Sequence, residues 1–466
     1  MLRNWLSLLA LVATAALLLA CARGEPVDLL VTGGTVVTMD ADRRVIEDGA
    51  VAVRGERIVA VGSAGELDRR YRARHRLRAD GRLILPGLIN AHTHAAMSLY
   101  RGVADDLDLE EWLQDYIFPL EAKLTTPESV YWGTKLAALE MIRGGITTFV
   151  DMYYFEDKVA EASAEAGLRV VAGETILDFP SPDFKTPAEA LRWTEDFINR
   201  WQGHPLVIPA VAPHSAYTCS RETLQAAAEL ARRTGAPLLI HLAESKLTVD
   251  QGRKKYGQSP VAYLAELGLF DVPTLAAHCI WLDEQDQSLL AEKGVGCAHN
   301  PTSNMKLANG VAPVMALRAL GVAVGLGTDG AASNNDLNLF EEMDLAAKLQ
   351  KLSSGDPKAL PAADALALAT VEGARALGLE QEIGSLEVGK RADLIVVQRS
   401  APHAIPFYDV YAQIVYTLKA SDVVASVING QVVLQDGRVL TLDEAALRQR
   451  VAEYARAVRA VLEERP

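Results

Sequence analysis

Six of the chain's nine histidines (His92, His94, His214, His241, His278 and His299) each stand at the carboxyl end of a short apolar run. Histidines scattered over a surface would not share that placement. Imidazole is a metal ligand and a proton carrier, so the pattern points to metal-assisted hydrolysis. His92 and His94 close LILPGLINAHTH two residues apart. Side chains alternate along a strand, so both imidazoles project to one face and can meet one cation. His241 closes PLLIH and Asp329 closes VAVGLGTD, giving three nitrogens and one oxygen. That set suits one borderline-soft divalent ion, Zn2+ first and Fe2+ as the alternative, with a position left open for water. Singly, His241 and Asp329 would read as a core histidine and a helix-capping aspartate; the argument lies in the four together.

Glu244 lies three residues after His241, within reach of a water on the metal without being a ligand. A carboxylate there can cycle as general base and acid. The alternative is a surface glutamate that opens the next helix. His278, at the end of TLAAH, is a candidate hydrogen-bond partner of the attacking water. His299 and Asn300 in CAHNPTSN serve as pocket lining or as loop scaffolding, and the sequence leaves both open.

Side chains that meet from such distant positions need a scaffold that ends several strands at one rim. Eight apolar segments of strand length, 83–92, 146–152, 169–177, 206–214, 237–244, 273–279, 294–300 and 323–329, alternate with stretches of helical periodicity. Eight such units predict an α/β fold, a (β/α)8 TIM-like barrel, whose active sites form at the carboxyl ends of the strands. Residues 27–62, 384–397 and 423–440 instead alternate β-rich runs with Gly, Asn-Gly and Asp-Gly turns. They predict a small β-sandwich built from both chain ends, 27–82 and 384–440, around a barrel over 83–383, with a helix over 441–466.

The 466 residues are 50% apolar and 23% charged, an ordinary globular profile, and the net charge of −14 repels phosphate backbones. Nucleic acid is therefore excluded as a partner and a small molecule is the expected substrate. Residues 1–20 carry Arg3 and then an apolar run ending in small residues, a secretory signal pattern. Leu18-Leu19-Ala20-Cys21 resembles a bacterial lipobox. Lipidation of Cys21 would place the protein in the cell envelope, exported and anchored in the periplasm or on the outer surface, with an uncleaved anchor or plain secretion as alternatives. Cys219, Cys279 and Cys297 are then odd in number, so at least one stays a free thiol, and buried structural roles are expected. Self-association is left open.

The motifs VTGGTVVTMD, LPGLINAHTH, HLAES, AAHC, HNPTSN, LGTDGAASNN and GSLEVGKRADLIVV, in that order, cover nearly the whole chain. The sequence resembles the metal-dependent amidohydrolase superfamily, in its deaminase and chlorohydrolase branch. The resemblance implies metal binding by His92, His94, His241 and Asp329, and a single metal, since the fourth strand ends in Ala212-Pro213-His214 without the lysine of binuclear members. RGVADDLDLEEWL, PLEAKL and PHSAYTCS look most like the deaminases of 5′-methylthioadenosine and S-adenosylhomocysteine. That likeness implies that Trp112 packs on the substrate, Glu121 holds ribose hydroxyls and His214 contacts the purine. Without the motif, Trp112 and Glu121 would read as helix packing and a solvated charge. The implied reaction is hydrolytic deamination of an adenine nucleoside. Glu244 protonates the ring, while Asp329 and His278 hold the attacking water. The alternatives are hydrolysis of a triazine, guanine or cytosine-like ring, and an exported binding protein without catalysis. One departure bears on the substrate: such enzymes hold the carboxylate of S-adenosylhomocysteine with arginines after the third strand, and VAGETILDFPSPDFK has none. A guanidinium fork is the usual carboxylate partner, so a neutral nucleoside is at least as well served, unless Lys185 substitutes.

Overall fold

The computed structural model describes residues 24–464; the signal segment 1–20 and Cys21 lie outside the described residues. Eight parallel strands form one sheet: Leu88–Thr93, Ile146–Tyr153, Arg169–Ile176, Val207–Pro213, Leu238–Leu242, Thr274–His278, Gly296–His299 and Val324–Leu326, each pairing with the next. Nearly every residue in them is buried, as expected for strands covered on both faces. The barrel closes through polar groups: Asp329 N donates to His92 O at 2.9 Å, and the Asn90 amide donates to Thr328 Oγ1 at 2.7 Å. Gly327 makes the closure feasible, because a Cβ there would sit 2.3 Å from Asn300 Oδ1 and 2.9 Å from His92 N.

The run 83–92 is not one strand. Leu83–Pro86 belongs to the other sheet, parallel to Thr35–Val36 and antiparallel to Leu394–Val397, and the barrel begins only at Leu88. Gly87 makes the transfer, where an added Cβ would overlap the Thr147 side chain at 2.0 Å. The second sheet has nine strands, eight of them from both parts of the chain in one hydrogen-bonded path and the ninth, Tyr71–Arg78, paired off that path with Glu25–Val37. The two layers expected of a sandwich are thus one sheet folded back on itself. Arg57 bridges Arg391, and Leu29, Val53, Ile84, Val396 and Val427 share one buried cluster. The buried Arg169–Asp393 ion pair at 3.0 Å ties the barrel to this sheet, with Asn429 N also donating to Asp393. The terminal helix, Glu444–Glu463, docks on the barrel's outer helices through Arg143–Glu444 and Arg450–Glu128. Cys219, Cys279 and Cys297 are free and buried. Among the described residues no helix is long and apolar enough to cross a membrane.

Candidate active site

The barrel rim gathers the histidines. His94 Nε2 lies 3.2 Å from Asp329 Oδ1 and 3.4 Å from His241 Nε2, and His92 Nε2 lies 3.6 Å from Asp329 Oδ1. The opposite ring nitrogens are held on carbonyls: His94 Nδ1 on Met152 O at 2.5 Å and His241 Nδ1 on His214 O at 2.9 Å. That fixes which nitrogens face the centre, as ligand imidazoles require. His92 Nε2 is buried with no hydrogen-bond partner, an orphan that an ion would satisfy. His92, His94 and His241 form one ligand-spaced triad, and His92, His278 and Asp329 a second; both contain His92, so they describe one site. The donors therefore fit a single divalent ion.

The backbone around the site is strained. Ala243, His278 and Asp329 have φ of 51°, 73° and 64°, left-handed values that side-chain-bearing residues adopt at a cost and that gather at functional sites. Neighbouring side chains lock the result. Ser303 Oγ donates to Asp329 Oδ2 at 2.6 Å and Gly330 N to Oδ1 at 2.7 Å, while His278 Nδ1 lies 2.9 Å from Asn304 Oδ1. Asp151 Oδ1 accepts from Thr93 Oγ1 and Ala95 N, fixing the turn around His94.

The electrostatics call for a cation. Burial, reinforced by the charge on His94, holds His92 well below the usual imidazole range, and burial with His214 does the same to His241. Burial opposes a charge on His94 as well, yet the Asp329 hydrogen bond and charge outweigh it and lift His94 to about 9. Burial works against Asp329's charge too, but the bond to His94 prevails and holds the carboxyl well below its ordinary value. Glu244, buried and with Oε1 3.8 Å from His278 Nε2, is pushed up by burial against the opposing pull of His278. Ser245 caps the helix Lys246–Tyr256, so Glu244 precedes that helix and points inward rather than opening it on the surface.

A cavity opens over this group, lined by Trp112, Glu121, His214, Glu244, His278 and Asp329 among others. His92 lies beneath it. Trp112 comes from a widened helical turn, Trp112–Ile117, and its buried Nε1 has no hydrogen-bond partner among the described residues. Glu121 is 4% exposed and accepts the Tyr153 hydroxyl at 2.6 Å; burial, against that bond, raises its pKa to about 7. His214 is pulled down to about 3 by burial, then by the charges of His94 and His278. His299 is buried and does not line the cavity, and Asn300 Nδ2 lies 3.3 Å from His278 Nδ1, which makes Asn300 part of the scaffold around that histidine. Lys185 is exposed and does not line the cavity; Phe179, on the same third-strand loop, is also exposed and packs on the cavity-lining Phe118, their rings 5.9 Å apart. Ser303, Asn304, Tyr153 and Tyr217 are neighbours of the site to which sequence reasoning gave no role, although Ser303 and Asn304 lie inside the HNPTSN motif and Tyr217 inside PHSAYTCS.

The comparisons agree with this geometry. The model of the Amidohydrolase family matches residues 83–433, and a bacterial imidazolonepropionase-like composite domain matches residues 49–73. The chain belongs to the amidohydrolase family and is a hydrolase acting on carbon–nitrogen bonds. It is 52% identical over 432 residues, 93% of this chain and 98% of the relative, to the 5-methylthioadenosine/S-adenosylhomocysteine deaminase of Syntrophobacter fumaroxidans. A relative of the same name from Syntrophus aciditrophicus is 47% identical over 94% of this chain and 99% of its own. The solved adenosine deaminase of Xanthomonas campestris with bound zinc superposes with a TM-score of 0.92 at 39% identity, covering 94% of this chain and all of that one. Atrazine chlorohydrolase of Arthrobacter aurescens TC1, at 24% identity, a TM-score of 0.85, and covering 92% of this chain and 100% of its own, shares the fold.

Proposed function

We propose that the protein hydrolytically deaminates an uncharged adenine nucleoside, such as adenosine or 5′-methylthioadenosine, giving the inosine-type product and ammonia. The observation that carries this is Glu121, a buried carboxylate with ribose-binding chemistry in the same cavity as Glu244, His278 and Asp329. The relatives' names support the adenine nucleoside. His92, His94, His241 and Asp329 would hold one divalent ion, Zn2+ by donor set, which activates water and polarises it for attack. Trp112 packs on the nucleoside, His214 meets the purine edge, and Glu121 takes the sugar hydroxyls. Glu244, its proton affinity raised by burial, gives a proton to the ring nitrogen. Asp329 and His278 hold the attacking water and receive its proton. Among the described residues no lysine or arginine lines the cavity, which favours a neutral 5′ group over an amino-acid carboxylate. The leader 1–20 and Cys21 support export and a lipid anchor in the bacterial envelope.

The test is ammonia release by the purified metal-loaded protein from adenosine, 5′-methylthioadenosine, S-adenosylhomocysteine, guanine and a chlorotriazine. The expected result is turnover of the two neutral nucleosides at least tenfold faster, by kcat/KM, than of the homocysteine conjugate, and negligible turnover of the free rings. Turnover of guanine or the triazine, with none of any nucleoside, would overturn the assignment.

A further inference from the structure

A second cavity lies behind the first, between the loop after the fifth barrel strand and the helix Lys246–Tyr256. His241, Glu244 and Tyr217 line both. Tyr217 therefore stands as the partition, its ring edge-on to His214 at 5.8 Å between centroids. The rear space offers Thr248, Gln251 and Lys255 as polar partners, and Gln251 and Lys255 are exposed, so it reaches solvent without passing the front cavity. None of Trp112, Glu121 or His278 touches it.

We propose that the rear cavity is a separate passage for small hydrogen-bonding molecules, through which ammonia leaves and water enters while the nucleoside fills the front. The inference rests on the deaminase function above. In that reaction the oxygen of water bonds to the ring carbon and the carbon–amine bond breaks. One hydrogen of the water leaves with the amine as NH3, and the other remains on the ring nitrogen of the product. The amine is expelled beside Glu244, at the wall the two cavities share. A nucleoside reaching from Glu244 to Glu121 blocks the front, so an ammonia confined to that side would have to wait for the larger product. A single-heavy-atom molecule has no such constraint on the rear side, where its hydrogen bonds pass from Glu244 to Thr248 and Gln251.

The order of product release tests this on the metal-loaded enzyme. Ammonia leaving first requires that ammonium chloride, against a potassium chloride control, lower kcat with KM unchanged within about twofold, while the nucleoside product raises KM. Two substitutions narrow the passage away from the catalytic groups: Val249→Phe in its wall and Gln251→Trp at its exposed end. Each is expected to lower kcat at least tenfold at normal metal content and to turn ammonium into a competitive inhibitor. Gln251→Trp, being exposed, keeps the test available if Val249→Phe fails to fold. Ammonium acting competitively on the wild-type enzyme, or both variants staying within twofold of its kcat, would overturn the passage and leave the deaminase function standing. Absence of ammonia release from every nucleoside would overturn both.

Discussion

Replacing Glu121 by glutamine isolates the sugar-binding half of the proposed chemistry. The carboxylate is buried and accepts the Tyr153 hydroxyl at 2.6 Å, with Tyr154 also bearing on it, so a glutamine of the same shape retains the packing. It loses the charge and one acceptor for two ribose hydroxyls. Hydrogen bonds to a charged group contribute about 1.5–3 kcal/mol each. A neutral amide keeps part of both, so a loss near 3 kcal/mol is expected, about a hundredfold in kcat/KM. Steady-state ammonia release on adenosine and on its 2′,3′-dideoxy analogue gives a cycle. The wild type should lose more than about a hundredfold on the analogue, since both bonds go, and Glu121→Gln should be within about threefold of the wild type on it. Because Glu121 binds as the carboxylate and titrates near 7, KM for the ribonucleoside should rise about tenfold per pH unit below that value, and Glu121→Gln should abolish this dependence. Equal losses by the variant on both substrates would refute the contact.

Glu244→Gln is expected to keep its metal and lose at least 10²-fold in turnover, the usual contribution of a positioned acid–base group, read by elemental analysis beside ammonia release; turnover equal to wild type would remove it as the proton donor. Arg169→Met strands the Asp393 carboxylate between barrel and sheet, and breaking such a buried pair costs about 3–5 kcal/mol, read as a lower denaturant midpoint. Arg169→Met with Asp393→Leu should recover most of that loss, and a single variant as stable as the wild type would contradict the role of the pair. Glu342, buried against Asn334 and Thr302 N, is raised by burial to about 8. Its folded pKa exceeds the unfolded value, so the folded state holds a proton the unfolded chain has released, and stability falls as pH rises from about 4.5 towards 8. Glu342→Gln should flatten that part of the pH–stability curve; an unchanged slope would argue against the buried proton.

The strand-end histidines were legible because an apolar run ending in a polar ring is a local pattern, and a barrel turns that pattern into a shared rim. The split of 83–92 was not, because both halves are apolar, and the close approach of Thr147 that requires glycine at position 87 comes from a distant segment. That both chain ends share a small sheet domain was legible in their common turn-rich texture, whereas the pairing of Leu83–Pro86 with segments from both ends is a long-range fact without local trace. Trp112 and Glu121 became candidates only through the resemblance; their burial depends on a helix lying across the barrel mouth. Ser303, Asn304 and Tyr217 reach Asp329, His278 and Glu244 across turns whose left-handed residues the sequence does not announce.

The central claim is that three imidazoles and one carboxylate hold a single ion on which hydrolysis depends. Elemental analysis of the purified wild type and of His241→Ala, paired with ammonia release from adenosine, measures it directly. The account predicts one divalent ion per wild-type chain, with metal and turnover both lost in His241→Ala and both lost and regained when the wild type is chelated and resupplied with zinc. A metal-free wild-type protein that still deaminates adenosine would contradict it.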